Sequence, residues 1–319
     1  MPNFSIDPQL EDAATHDLQA SHSATEATPP SILIRFHHQN YEVEMRDRDW
    51  SIHLIDPETS ISELYPPNFE DLLKLARIEK LFVPTHCSET ELKQWADICE
   101  PYSIAVFLQL PPCSILPQQR SRLRWTLKRS LDRIAAAILI AILSPILIAI
   151  AAIVRRDSQG TIFFKQWRVG EQGKLFRIYK FRTMISNAET LHQQVMGTQA
   201  GLHKLQNDPR ITRCGRWLRK YSLDELPQLF NVVRGEMSLV APRPWALYDA
   251  LRISPEGQQR LNALPGITGA WQVEARSTLL DLEQVNHRDL KYLKQWSLRE
   301  DFRILCLTIP KALSGFGAC

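Results

Sequence analysis

A run of 21 residues, Ile134 to Val154, is apolar throughout except for Ser144-Pro145 near its middle, and this run constrains the chain most. As a helix it would cover ~30 Å, the hydrocarbon thickness of a bilayer, so a membrane-bound protein is expected. Pro145 lacks an N–H and clashes with the preceding turn, which predicts a kink or break there. Ser144 is placed to bond a carbonyl that the proline frees. Arg120, Arg122, Arg124, Lys128, Arg129 and Arg133 precede the run, and Arg155, Arg156, Lys165 and Arg168 follow it. Such cations gather on the cytoplasmic side, so both ends read as cytoplasmic. Two forms stay open on the residues alone: a helix that dips in, turns at Ser144-Pro145 and returns, and a single pass with a proline kink.

Charge divides the chain. Residues 1–118 carry 7 Lys/Arg against 19 Asp/Glu, a net of −12, while the whole chain is +3, leaving +15 for the rest. Residues 119–182 hold 14 basic and 3 acidic side chains, a balance suited to anionic lipid or phosphate. Nucleic acid is not expected as a partner, because the cations bracket an apolar run and form no recognised nucleic-acid module. The first 30 residues lack an apolar core and read as a disordered tail without a secretory signal. The cysteines at 87, 99, 113, 214, 306 and 319 have neither metal-type spacing nor a disulfide framework, so buried, reduced thiols are expected.

Residues 31–117 read as a small acidic α/β domain. Ser31 to Phe36, Lys80 to Val83 and Ile104 to Leu110 are strand-like, and Phe69 to Ala76 and Glu89 to Cys99 have helical spacing. The order helix, strand, helix, strand implies parallel pairing. No glycine-rich phosphate loop supports a dinucleotide role, and His37, His38 and His53 stand apart from any metal-type cluster. Pro111-Pro112 and Pro117 mark a linker to residues 118–319.

In that second part, Lys174 to Met184 is strand-like and carries Arg177, Lys180 and Arg182, which a solvated edge strand would also explain. Further on, Asp224-Glu225 opens an apolar-periodic helix expected to stop at Gly235. Ser222-x-x-Glu225 has capping-box spacing, and on spacing alone that is the simpler explanation for these acids. Helical neighbours point about 100° apart, so the pair cannot share a proton as a facing dyad would. Catalytic use would need separate tasks, one acid attacking phosphorus and the other holding a divalent cation. Arg219 and Arg243, the latter between two prolines, would offer bidentate donors to phosphate.

Ser222-Leu-Asp-Glu-Leu-Pro-Gln-Leu, Gly235-Glu-Met-Ser-Leu-Val-Ala-Pro-Arg-Pro and Leu264-Pro-Gly-Ile-Thr-Gly-Ala-Trp-Gln-Val together resemble the bacterial sugar transferases. These are monotopic polyprenyl-phosphate phosphoglycosyl transferases that start exopolysaccharide and O-antigen synthesis, and the resemblance runs from about Leu127 to Leu313. It implies a mainly α, α+β monotopic membrane catalytic domain behind the α/β N-terminal domain. Its re-entrant helix would span about residues 128–154 and break at Ser144-Pro145. By the same resemblance Asp224 is the nucleophile and Glu225 binds Mg²⁺. Asp224 would take the sugar phosphate from a UDP-sugar, usually UDP-glucose or UDP-galactose, expelling UMP, and polyprenyl phosphate would then displace it. Arg219 and the Pro242-Arg243-Pro244 loop fall on phosphate-binding or active-site positions, with Lys180, Arg182 and Asp289 on further motif positions. For Asp289 the plain alternative is an exposed helix acid paired with a lysine.

One departure concerns the loop: the family usually has Gly before Pro-Arg-Pro, where this chain has Ala241, a costly change if the backbone there has positive φ. An inactive membrane scaffold or regulator is the alternative reading. The resemblance also implies the bacterial inner membrane, with the catalytic domain and both termini on the cytoplasmic face. Residues 69–112 are similar to the latter half of the family's Rossmann-like domain, so a truncated regulatory or oligomerising unit is expected, with a homo-oligomer as one outcome. The amphipathic segment from about Leu280 to Leu313 suits either a membrane interface or the cover of a soluble core.

Overall fold

The computed structural model describes residues 41–46, 49–54, 79–185, 188, 208–275 and 282–314. The expected strand at Ser31 to Phe36 and helix at Phe69 to Ala76 lie outside these residues.

An N-terminal sheet has the order β1-β2-β3-β4. The hairpin β1 (Tyr41–Arg46) and β2 (Asp49–Leu54), which the sequence reading lacks, is antiparallel. Next, β3 (Lys80–Val83) pairs in parallel with β2 and with β4 (Ala105–Leu108). Helix α1 (Glu89–Cys99) makes the β3–β4 crossover. Its start is a capping box, Ser88 Oγ accepting from Glu91 N and Glu91 Oε2 from Ser88 N. Leu92, Trp95, Ala96 and Cys99 recur at helical spacing and are buried.

Helix α2 (Arg122–Asp157) carries the apolar run and stays helical across Ser144-Pro145, where the residues predict a kink or break and the family resemblance a break. Proline leaves the carbonyl four residues earlier without its usual donor, and Ser144 Oγ donates to that oxygen, on Ala141, at 2.8 Å. Ile134, Ile138, Ile142 and Ile148 are exposed on this helix. Yet both of its arms pack on the same body. Ala136 joins a core with Leu229 and Val232, and Ile150 and Val154 join one with Phe181 and Leu218. Lys128, 2% exposed, donates to Asp132 Oδ2 and Ser238 Oγ at 2.7 Å each and pairs with Asp301 at 3.2 Å.

That body begins with the antiparallel hairpin β5 (Phe163–Val169) and β6 (Leu175–Phe181). Helix α3 (Arg213–Lys220), a 3₁₀ turn at Leu223–Glu225 and helix α4 (Gln228–Arg234) follow. Gly235 at φ 80° ends α4, as its position predicts. A short strand β7 (Ser238–Val240) leads into helix α5 (Leu247–Arg252), and a later strand β8 (Gly266–Thr268) pairs in parallel with β7. Helix α6 (Leu282–Gln295) buries Val285, Tyr292 and Leu293 and so covers core. Helix α7 (Leu298–Ser314) buries Ile304 while exposing Phe302 and Ile309.

The two parts are not separated by a free linker. One core joins Leu81, Val83, Leu92, Trp95 and Leu108 to Trp245, Leu247, Ala250 and Trp271. Asp97 accepts from Trp167 Nε1 at 2.8 Å and from Arg177, which also pairs with Glu100. Of the described cysteines, all free, Cys99 and Cys113 are buried, Cys87 and Cys214 partly so, and Cys306 is exposed.

Candidate active site

Asp224 and Glu225 occupy the 3₁₀ turn between α3 and α4, both less than a tenth exposed. Ser222, with φ 55° and ψ 22°, reverses the chain just ahead of them. The capping-box reading fails here, because Ser222 makes no side-chain cap and the Glu225 carboxylate points elsewhere. It accepts from Lys180 Nζ at 3.0 Å and from both Arg243 nitrogens, Nη2 to Oε1 at 2.5 Å and Nη1 to Oε2 at 3.2 Å. About 120° separates successive residues in a 3₁₀ turn, so its neighbour Asp224 faces a different direction. The Asp224 side chain makes no hydrogen bond or ion pair among the described residues. Burial, and then the adjacent Glu225 charge, raise its carboxyl above the usual range, against the pull of Lys180, Arg219 and Arg243.

The cations reach the pair from separate elements. Lys180 is the penultimate residue of β6, and burial lowers its ammonium while Glu225 holds it up. Arg219 comes from α3, where its Nε donates to Thr183 Oγ1 at 2.9 Å. Arg168, on β5, shares a face with Lys180 and reaches the loop beyond Arg243. Four cations therefore surround two carboxylates, an excess that suits a doubly charged phosphate ligand.

The loop bearing Arg243 is held by its carbonyls. Pro242 O accepts from Gly266 N at 2.8 Å, Arg243 O from Arg260 Nη2 at 3.0 Å, Pro244 O from Arg168 Nη1 at 3.3 Å and Trp245 O from Val169 N at 3.2 Å. Four successive carbonyls each have a donor, which with the two prolines fixes the path of the loop. Ala241 lies outside the positive-φ residues and bonds Thr268 O through its N–H at 2.9 Å. The close approach at this point is met from the other strand, since a Cβ on Gly266 would lie 2.2 Å from Ala241 N. The expected penalty of Ala in place of Gly is thus absent.

Two expected site residues are placed differently. Arg182 is buried and donates to the Ser158 carbonyl at 2.6 Å and to Ser158 Oγ at 3.0 Å, as well as to Thr161 O and Val154 O. Its guanidinium is committed to the C-terminal end of α2, where it complements the free carbonyls of the helix. Asp289 is neither exposed nor paired with a lysine: it is 1% exposed and bonded to Arg260 at 2.5 Å. Arg260 in turn stacks 4.6 Å over Trp245 and carries the Arg243 carbonyl, so Asp289 acts on the loop through Arg260.

The sequence reading missed Arg260 and Asn231. Arg260 takes its buried partner from 29 residues away and not from Glu256, the acid four residues before it. Asn231, fully buried, accepts from Tyr179 N and donates to Arg177 O, tying α4 to β6. A lone Asn on the apolar face of a short helix was the available signal.

Known proteins resemble much of this chain. The family model described as bacterial sugar transferase matches residues 123–315. The chain is 39% identical over 197 residues to the galactosyl transferase CpsE of Streptococcus agalactiae, covering 60% of this chain and 43% of that one. It is 41% identical over 199 residues to the undecaprenyl-phosphate galactose phosphotransferase of Salmonella typhimurium, covering 60% and 41%. It is 38% identical over 195 residues to the exopolysaccharide production protein ExoY of Rhizobium meliloti, covering 57% and 84%. The chain thus spans about two fifths of the first two relatives and most of the third.

Proposed function

Because this chain belongs to the bacterial sugar transferase family, we propose that it transfers a sugar 1-phosphate from a UDP-sugar to polyprenyl (undecaprenyl) phosphate, releasing UMP. The observation carrying this reading is the contrast within the acid pair: Glu225 is held by Lys180 and Arg243, while Asp224 is buried among cations and, among the described residues, makes no hydrogen bond or ion pair. A carboxylate kept free of donors in a low-dielectric site is poised as a nucleophile.

An Asp224 oxygen attacks the β-phosphorus of the donor, and the bond from that phosphorus to the bridging oxygen breaks, its electron pair leaving with UMP. A phosphate oxygen of the polyprenyl acceptor then attacks the same phosphorus and the Asp224 carboxylate departs. The product is a polyprenyl-diphosphate sugar. Arg219, Arg243 and Lys180 stabilise the charge that spreads over the equatorial oxygens in each transfer. UDP-glucose and UDP-galactose are the candidate donors.

The residues present fit Mg²⁺. Glu225 offers hard carboxylate oxygens, and magnesium is commonly held by one or two carboxylates together with substrate phosphates. Lys180 and Arg243, which hold Glu225 here, themselves prefer phosphate, so donor binding can release the carboxylate. When bound, the ion would neutralise charge on the diphosphate.

Membrane attachment is proposed as a dip rather than a crossing. A crossing helix would leave ~20 residues clear of the catalytic body. On α2, by contrast, packed positions recur from Ala136 through Ile140 and Leu143 to Leu147, Ile150 and Val154. Both helix ends, and the catalytic body with them, then lie on the cytoplasmic face of the inner membrane.

UMP release by the purified protein in nanodiscs, with Mg²⁺, polyprenyl phosphate and a panel of UDP-sugars, tests the reading beside Asp224→Asn. Release that depends on Asp224 and Mg²⁺ supports it and names the donor. Silence from folded protein across the panel would favour the scaffold.

A further inference from the structure

We propose that Phe164 binds the first isoprene units of the lipid acceptor and guides its phosphate to Asp224, an inference that rests on the transferase reading above. Phe164 is the second residue of β5 and lies directly opposite Lys180 in the hairpin register. Directly opposed side chains on an antiparallel pair share one face, with Cβ atoms about 5 Å apart. Phe164 therefore stands beside Lys180, whose ammonium contacts Glu225 at 3.0 Å. Its ring is 41% exposed, whereas Phe176 and Ile178, on the same face of β6, are buried.

Its position along the chain gives the ligand class. Helix α2 ends at Asp157, six residues before β5 begins, and Arg182 fastens that helix end to the hairpin through Ser158. An exposed aromatic thus stands between the exit of the apolar helix and the cation cluster. The acceptor has the matching sequence of chemistries, an apolar chain leading to a phosphate. A lipid approaching from the bilayer would meet Phe164 with its chain as its phosphate reaches Lys180. The adjacent Phe163 provides an internal control. It lies on the opposite face, stacks on Phe181 at 5.5 Å and is similarly exposed, at 38%.

The two half-reactions separate this role from its rivals. Phe164→Ala, in the full chain in nanodiscs, should release UMP from the UDP-sugar at the wild-type rate without lipid. It should then need about tenfold more polyprenyl phosphate to discharge the enzyme, the scale expected for losing one largely apolar contact. Phe164→Leu should recover most of the loss, because isoprene packing needs apolar bulk and not a ring, and Phe163→Ala should leave the acceptor requirement unchanged. Loss confined to the UMP-releasing step, without rescue by Leu, would show a base-stacking role and overturn the proposal. An equal effect of Phe163→Ala and Phe164→Ala, tracking vesicle binding, would reduce both to interface anchors and overturn it too. Should the wild type release no UMP without lipid, the covalent step fails instead. The KM for lipid against that for UDP-sugar in the complete reaction then still decides the role of Phe164.

Discussion

Arg243 grips Glu225 with both terminal nitrogens, while Asp224, one residue earlier, is left without a partner among the described residues. The pairing keeps Arg243 extended over the acid pair before any ligand arrives. Arg243→Lys should therefore lower kcat/KM by about tenfold to a hundredfold, since lysine cannot reproduce a planar two-point grip. Steady-state kinetics with the donor identified by UMP release checks this.

Asp224→Asn should cut turnover by about three orders of magnitude or more while the fold survives. Its effect on stability has the opposite sign. The folded-state carboxyl is raised by burial and by Glu225, so its contribution to stability is full below the unfolded pKa and is lost as pH rises through the folded one. The Tm of the Asn variant should accordingly exceed that of wild type at neutral pH, the gap closing in acid. Thermal melts from pH 4 to 8 read the trend.

In the protein free of Mg²⁺ and donor, the raised Asp224 carboxyl should titrate above the usual aspartate range. Glu225→Gln removes the neighbouring charge that helps raise it, so that titration should move to lower pH. A carboxyl titration followed by infrared spectroscopy without Mg²⁺ shows the shift.

Asp289→Ala leaves the buried Arg260 guanidinium without its counter-ion and should cost about 3–5 kcal/mol by denaturant unfolding. Residual folded protein should also show a raised KM for donor, because Arg260 carries the Arg243 carbonyl and stacks on Trp245.

Ala241→Gly should not raise activity. The backbone there does not use positive φ, so glycine adds only freedom in the unfolded chain, at a cost of about 0.5–1 kcal/mol. Equal kcat/KM with a slightly lower Tm is the expected result.

Much of this architecture is legible in the residues because its causes are local. The apolar spacing of Glu89 to Cys99 announces α1, Gly235 the end of α4, and Ser144 the repair of the Pro145 defect. What the residues conceal depends on distance. Capping spacing at Ser222 and Glu225 is genuine in sequence, yet Lys180 and Arg243 outcompete a backbone N–H for the carboxylate because they are charged. Arg182 sits two residues beyond Lys180, and only the return of α2 to the hairpin shows that its guanidinium serves a helix end. Asp289 reads as a motif-position residue, with a surface acid as the plain alternative, and neither reading points to Arg260, 29 residues away. The small acidic unit reads as separate by charge, whereas its apolar face merges with the loop that follows Arg243.

That merged core bears on how relatives can be recombined. Trp245 and Leu247, immediately after the Pro-Arg-Pro loop, are buried partly by Leu92 and Trp95 of the N-terminal unit. A chimera that cuts at the proline-rich stretch near residue 117 would keep the catalytic motifs intact and still strip the far wall from their supporting loop. Exchange of donor specificity between family members would succeed only where both sides of this seam travel together, or where the surface around Trp245 is redesigned for water.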